Sequence, residues 1–195
     1  GGVGGITAEM LVRSGIKRLT LIDFDKISSS NINRQIVALE NNLGKIKIEE
    51  LANRLKEINS NIELTLIAKK LIKENIQELI TERFDYIVDA IDSVKDKADL
   101  IEFAHNNNYK IISAMGTGNK VCAPLYEITD IYKTQNDGLS KVIRKLLKEK
   151  GIKKHKVCYS KQDKVKVSGL GSAVWHPTAC ACVIASEVIN DLIKE

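Results

Sequence analysis

The sequence predicts an α/β fold: a doubly wound, mainly parallel sheet with an antiparallel extension. Three observations carry this expectation. Short stretches rich in Ile, Leu and Val alternate with longer segments of helical periodicity up to residue 114, the pattern of strands buried between helix layers. A glycine-rich opening, Gly1-Gly2-Val3-Gly4-Gly5, leads straight into a helical pattern. Beyond residue 120 a strand with polar alternation and a strongly basic helix break the parallel rhythm.

In chain order, a helix is expected over residues 6–14, stopped by Gly15. Residues 18–23 read as an apolar strand ending in an acid, and a polar loop runs to Arg34. A helix over 46–58, a strand over 62–68 and a short helix over 73–81 follow. Residues 86–90 form a buried strand, 95–106 a helix and 109–114 a strand. Residues 120–129 read as a longer strand, antiparallel and near an edge. Residues 137–150 read as a basic amphipathic helix ended by Gly151, 157–160 as a short strand and 161–171 as a mobile loop. The last helix spans 177–193, with Pro177 at its start. Glycine turns of this kind normally join a first strand to a first helix. No strand precedes this one, so residues 1–195 read as a single, N-terminally truncated domain whose first strand is missing.

Composition narrows the class. The chain has 195 residues, 44% hydrophobic and 28% charged, enough for one domain with a real core. A disordered or collagen-like chain is excluded. The longest apolar run, residues 179–185, holds seven residues, far short of a membrane span. No signal-peptide pattern opens the chain, so a cytoplasmic location is expected. Four cysteines, at 122, 158, 180 and 182, show no CxxC spacing. They read as four buried thiols rather than zinc ligands. The net charge is +5. Residues 1–140 carry 18 basic and 20 acidic side chains, whereas residues 141–166 carry 11 and 2. That local field favours a polyanion partner; a solvated lysine-rich helix and loop explains the charge alone equally well.

Four groups of residues carry chemistry. Gly1, Gly2 and Gly4 let backbone N–H groups approach a phosphate at a helix N-terminus. Asp23 ends its strand about 20 residues on, where an acid accepts hydrogen bonds from ribose hydroxyls. Those two features alone suggest NAD. The loop containing Asn31, Asn33, Arg34 and Gln35, with Lys45 and Lys47 after it, adds a cationic cluster that NAD does not need. A triphosphate does need one, because its charge must be neutralised as phosphorus is attacked, and Arg34 and Lys47 are aimed at it. Asp92 and Ser93 follow a buried strand. Asp92 is placed to hold a magnesium ion, or to cap the next helix as Ser93 does.

The order GGVGG, LIDFD, SNINRQ, GKIK and DAIDS resembles the ubiquitin-activating-enzyme-like adenylating superfamily, whose sheet is Rossmann-like. The resemblance places nucleotide contacts on Gly2, Asp23, Asn31, Arg34, Gln35, Lys47, Asp92 and Ser93, with Arg34, Lys47 and Asp92 as the catalytic set. The second half, with DAIDSVKDKADLI, SAMGTGNK, ITDIYKTQNDGLSKVIRKLLKEKGIKK, KVCYSK and LGSAVWHPT, is similar to the tRNA threonylcarbamoyladenosine dehydratases. That similarity implies ATP-driven adenylation of the nucleoside's carboxylate next to the tRNA anticodon, then ring closure by the ureido group of the same side chain. The closing group is already attached, so effective molarity replaces an enzymic nucleophile. It also implies ATP and Mg2+, room for a monovalent cation, a homodimer and a sulfur-relay protein as a further partner.

In that light the basic segment 137–166 faces tRNA. Lys141, Arg144, Lys145 and Lys148 share one helical face, and Lys153, Lys154 and Lys156 follow. Departures remain. Family members commonly read Asp-Pro-Thr where this chain has Cys122-Ala123-Pro124, and Asp-Pro-Leu where it has Asp137-Gly138-Leu139. The alternative is an adenylyltransferase acting on the C-terminal glycine of a ubiquitin-like sulfur carrier. Its relatives usually carry paired CxxC knuckles and lack the basic helix. A scaffold without activity conflicts with the retained Arg34, Lys47 and Asp92.

Overall fold

The computed structural model describes residues 1–165, 169 and 171–194. The loop expected over 161–171 and the basic segment ending at 166 therefore fall partly outside the described residues. The elements run α1 (Gly2–Arg13), β1 (Arg18–Ile22), α2 (Lys47–Ile58), β2 (Glu63–Ile67), α3 (Ile76–Leu79), β3 (Ile87–Asp89), α4 (Val94–Asn106), β4 (Ile111–Ala114), β5 (Glu127–Asp130), α5 (Gly138–Glu149), β6 (Lys156–Tyr159) and α6 (Trp175–Ile193). β1 and β2 form a parallel pair, Arg18 opposite Glu63 and Ile22 opposite Ile67. A second sheet has the order β3-β4-β6-β5. Its first three strands are parallel, and β5 closes the edge antiparallel to β6, as the polar alternation predicts.

Helices cover both faces. Leu11 of α1 and Cys180, Ile184 and Val188 of α6 pack with Ile112, Ala114 and Cys158 from one face. Ile101 and Ala104 of α4 and Ile143 and Leu147 of α5 pack with Ile111, Val157 and Tyr159 from the other. β4 is buried along its whole length, as a central parallel strand covered on both faces is. α5 begins because Asp137 Oδ2 accepts from Ser140 N at 2.8 Å and ends at Gly151, whose φ of +74° suits glycine.

Several boundaries move. α1 starts at Gly2, so the glycine turn is already helix. α3 is confined to Ile76–Leu79, and α6 begins at Trp175, two residues before Pro177. The strand expected over 120–129 shrinks to Glu127–Asp130. The reason is Lys120, fully buried, whose Nζ donates to the Ser160 and Gln162 carbonyls. Turning it inward breaks the strand pattern, and Asn119 before it has a φ of +58°. The cysteines are also corrected: Cys158 and Cys180 are buried with sulfurs 3.5 Å apart, but Cys122 and Cys182 are exposed. No described helix is long and apolar enough to cross a membrane.

A buried polar chain runs from the α4 end to the sheet. His155, 1% exposed, contacts His105 Nε2 through Nδ1 at 3.2 Å and Ser113 Oγ through Nε2 at 2.8 Å. Burial pushes the His155 pKa down to about 3, with His105 adding to the effect. The folded value lies below the ordinary 6.5, so this histidine's contribution is complete above pH 6.5 and is lost as pH falls toward 3. The loss should be about 1.4 kcal/mol per pH unit over that window. Chemical unfolding of the parent and of His155→Gln between pH 7.5 and 4.5 tests it. The parent should lose the larger share of its stability; parallel curves overturn the assignment.

Candidate functional site

Three segments converge beyond the carboxyl ends of β1 and β3. The first is the start of α1. Its first intrahelical bond runs from Gly5 N to the Gly1 carbonyl at 3.0 Å. The N–H groups of Gly2, Val3 and Gly4 therefore have no acceptor within the helix and carry the positive end of its dipole. The bare sides of these glycines face protein. A Cβ on Gly2 would lie 3.3 Å from Pro177 Cβ and 3.5 Å from the Arg34 carbonyl, and one on Gly4 would lie 3.4 Å from Ala90 Cβ. A side chain would be tight at Gly2 and would only reach contact distance at Gly4, so the helix start lies close against the other two segments.

The second segment is the loop after β1. Asp23 N donates to the Ile67 carbonyl at 3.3 Å, extending the β1–β2 pairing. Asp23 Oδ1 accepts from Asp25 N at 2.9 Å, and Oδ2 lies 3.6 Å from the Gly1 amino group, which ties the loop to the start of α1. Buried Asn31 accepts from Ser28 N through Oδ1 at 3.1 Å, so its oxygen braces the loop. Arg34 Nη1 donates to the Ser30 carbonyl at 2.6 Å and to Asn33 Oδ1 at 2.8 Å. These bonds hold the guanidinium while Nε and Nη2 keep no partner among the described residues. Gln35 is buried beside Gly1, and its Oε1 has no hydrogen-bond partner. A buried orphan at a site costs free energy unless a ligand satisfies it. Lys47 is buried and donates to Asp25 Oδ2 at 2.7 Å.

The third segment is the loop from β3 to α4. Asp92 is exposed and Ser93 caps α4, its Oγ accepting from Asp96 N at 3.5 Å. No cluster of three or more His, Cys, Asp or Glu side chains forms a metal site among the described residues. Asp92 would hold a magnesium ion only together with phosphate oxygens. Beneath it lies a pair that the sequence reading missed. Lys97 Nζ bonds Asp89 Oδ2 at 2.8 Å, both side chains fully buried, while Asp89 Oδ1 accepts from Ile91 N at 3.0 Å. The signal was available: Lys97 lies on the same helical stripe as Ile101 and Ala104. Asp25, the partner of Lys47, was readable as the second acid of LIDFD.

The structure brings Gly2, Gly4, Arg34 and Gln35 together and sets Asp23, Asp92 and Ser93 on the adjoining loops and Lys47 at the start of α2. The basic residues lie elsewhere. Lys141, Lys145 and Lys148 are exposed along α5, and Lys153 and Lys154 are exposed after it. Arg144 is drawn inward by the Thr134 carbonyl and hydroxyl, and Lys156 is tied to Glu187 and Asp191, each at 2.6 Å.

The model of the ThiF family matches residues 1–194. The chain belongs to the ThiF family. It is 37% identical over 148 residues to a tRNA threonylcarbamoyladenosine dehydratase of Escherichia coli, covering 76% of this chain and 55% of that protein. It is 30% identical to the Bacillus subtilis protein of the same name, covering 100% and 85%. The chain thus matches about half the length of the E. coli relative and most of the B. subtilis one. A crystal structure of the E. coli dehydratase in complex with ATP superposes with a TM-score of 0.94 at 30% identity, covering 100% of this chain and 83% of that one. A Haemophilus influenzae molybdopterin-synthase adenylyltransferase is 33% identical over 113 residues, 58% of this chain and 46% of that protein.

Proposed function

We propose that this ThiF-family chain is an ATP-dependent tRNA threonylcarbamoyladenosine dehydratase. The observation that carries the reading is the convergence of the α1 start, Arg34 and the Asp92 loop, in a fold that matches an ATP-bound dehydratase along its whole length. ATP lies with its ribose on Asp23 and its phosphates at the Gly2–Gly4 N–H groups; Gln35 Oε1, an acceptor, takes its hydrogen bond from a hydroxyl or N–H of the nucleotide and not from a phosphate oxygen. Arg34, with two nitrogens free, neutralises charge at the phosphates. Lys47, held by Asp25, adds a fixed positive charge behind them. The carboxylate oxygen of the threonylcarbamoyl group attacks the α-phosphorus and the bond to pyrophosphate breaks. The ureido group then closes on the acyl carbon, AMP leaves, and one proton is released. Asp92 would hold a magnesium ion, which would help to neutralise the phosphate charge. The exposed lysines Lys141, Lys145 and Lys148 face the tRNA. We further propose a cytoplasmic homodimer with a monovalent-cation site and a sulfur-relay partner.

The test is nucleoside analysis of threonylcarbamoyladenosine-bearing tRNA after incubation with the protein, ATP and magnesium, using a mild digest that spares the cyclic product. A nucleoside lighter by one water, formed only with ATP, is expected. No such product, with pyrophosphate exchange stimulated by a ubiquitin-like protein instead, would assign the chain to the sulfur-carrier adenylyltransferases.

A further inference from the structure

A groove of about 570 Å³ opens at the end of the molecule away from the nucleotide cradle. His105, Tyr109, Lys150, Lys153, Lys154 and Lys156 are among its lining residues. Its place follows from the topology. α4 is capped at the cradle by Ser93, and its last turn, His105 and Asn106, lines the groove. Thirteen residues of α-helix put the two sites about 20 Å apart. Ile111 and Lys156, the first residues of β4 and β6, also line it, so the groove sits at the amino ends of strands whose carboxyl ends face the cradle side.

Its charge is unevenly compensated. Lys150 is bound to Asp99 and Glu102 at 3.0 and 2.5 Å, and Lys156 to Glu187 and Asp191. Lys153 and Lys154 are exposed and have no hydrogen-bond or ion-pair partner among the described residues. Burial pushes both histidines down, so the groove's charge comes from its lysines. The fixed acids hold the groove walls, and two free ammonium groups remain on the six-residue connection, 150–155, between α5 and β6.

α5 connects this groove to the cradle side. Its cap, Asp137, stands against Gly116, just beyond the carboxyl end of β4: a Cβ on Gly116 would lie 2.5 Å from Asp137 Oδ1. Its other end reaches Lys150 at the groove. Lys141, Lys145 and Lys148 are spaced i, i+4, i+7 along the exposed side of the same helix. The exposed lysines therefore form a track about 20 Å long, from the cradle end of α5 to Lys153 and Lys154.

We infer that the groove is a second phosphate-binding site, in which Lys153 and Lys154 grip the tRNA backbone on the stem side of the reacting nucleoside. The inference rests on the tRNA reading above and adds the direction in which the nucleic acid lies, along α5 and away from the cradle. Lysines at such positions fix register without reading bases.

Lys153→Ala/Lys154→Ala tests it, with binding of threonylcarbamoyladenosine-bearing tRNA measured across a salt series. The slope of log Kd on log salt should fall by about two, and affinity at low salt roughly tenfold. Backbone protection should be lost on the stem, not beside the modified adenosine. Lys153→Arg/Lys154→Arg should restore both, and an ATP affinity equal to the parent's shows that the alanine variant is folded. Parent-like Kd and slope in the alanine variant overturn the groove while leaving dehydration by the parent intact. Lost protection at the anticodon loop overturns the direction. A parent that binds no tRNA and answers to a ubiquitin-like carrier overturns the functional reading, and the groove assignment with it.

Discussion

Arg34→Ala should lower the rate of ATP–pyrophosphate exchange and of tRNA dehydration by roughly 10²–10³-fold, the usual effect of removing one preorganised charged donor from a developing phosphate charge. The geometry argues for a loss in rate rather than in folding. Arg34 is half-buried, and its two side-chain hydrogen bonds go to the Ser30 carbonyl and Asn33 Oδ1 within the same loop. Its backbone carbonyl, which an alanine keeps, is the atom that packs near Gly2. Unfolding temperature should therefore change little while the exchange rate collapses. Arg34→Lys should recover little, because a single ammonium cannot hold Ser30 and Asn33 and still present two further donors to a phosphate. An alanine variant within threefold of the parent would remove Arg34 from the phosphates and shift the role to Lys47.

Much of this site was legible before any coordinates. Asp23 was legible because an acid ends an apolar strand, Arg34 and Lys47 because they form a cationic cluster in and after the loop that follows it, and Gln35 only through the resemblance to the adenylating superfamily. Their pairings were not legible. Whether Lys47 faces a phosphate or a carboxylate depends on Asp25 being folded back 22 residues along the chain, at 2.7 Å. The basic segment shows the same divide. Spacing alone places Arg144 with Lys141, Lys145 and Lys148 on one face, but the Thr134 carbonyl pulls its guanidinium toward the protein. Lys156 is likewise neutralised by two acids contributed by α6. The strand expected over 120–129 fails for a related reason. A lone lysine in an alternating pattern reads as solvent-facing, and nothing local announces that two carbonyls from residues 160 and 162 receive it.

Lys97→Met should be the most destabilising single change near the site, costing about 3–5 kcal/mol, because it strands a fully buried carboxylate without its partner. The side chains of Lys97 and Asp89 are both 0% exposed, and Nζ and Oδ2 are 2.8 Å apart. Water cannot reach the orphaned group, so the cost is that of an uncompensated buried charge and not of one hydrogen bond. The double variant Asp89→Val/Lys97→Met removes both charges. It should recover most of the lost stability, since apolar residues of similar volume replace buried ion pairs at little cost. Activity should not return with it. Asp89 Oδ1 also accepts from Ile91 N, and that bond shapes the turn that presents Asp92 and starts α4 at Ser93. Denaturant unfolding and pyrophosphate exchange on the three proteins separate the two roles. A double variant that regains both stability and exchange would make the pair a packing element alone. One that regains stability without exchange establishes that the charge buried under β3 is kept for the geometry of the loop above it.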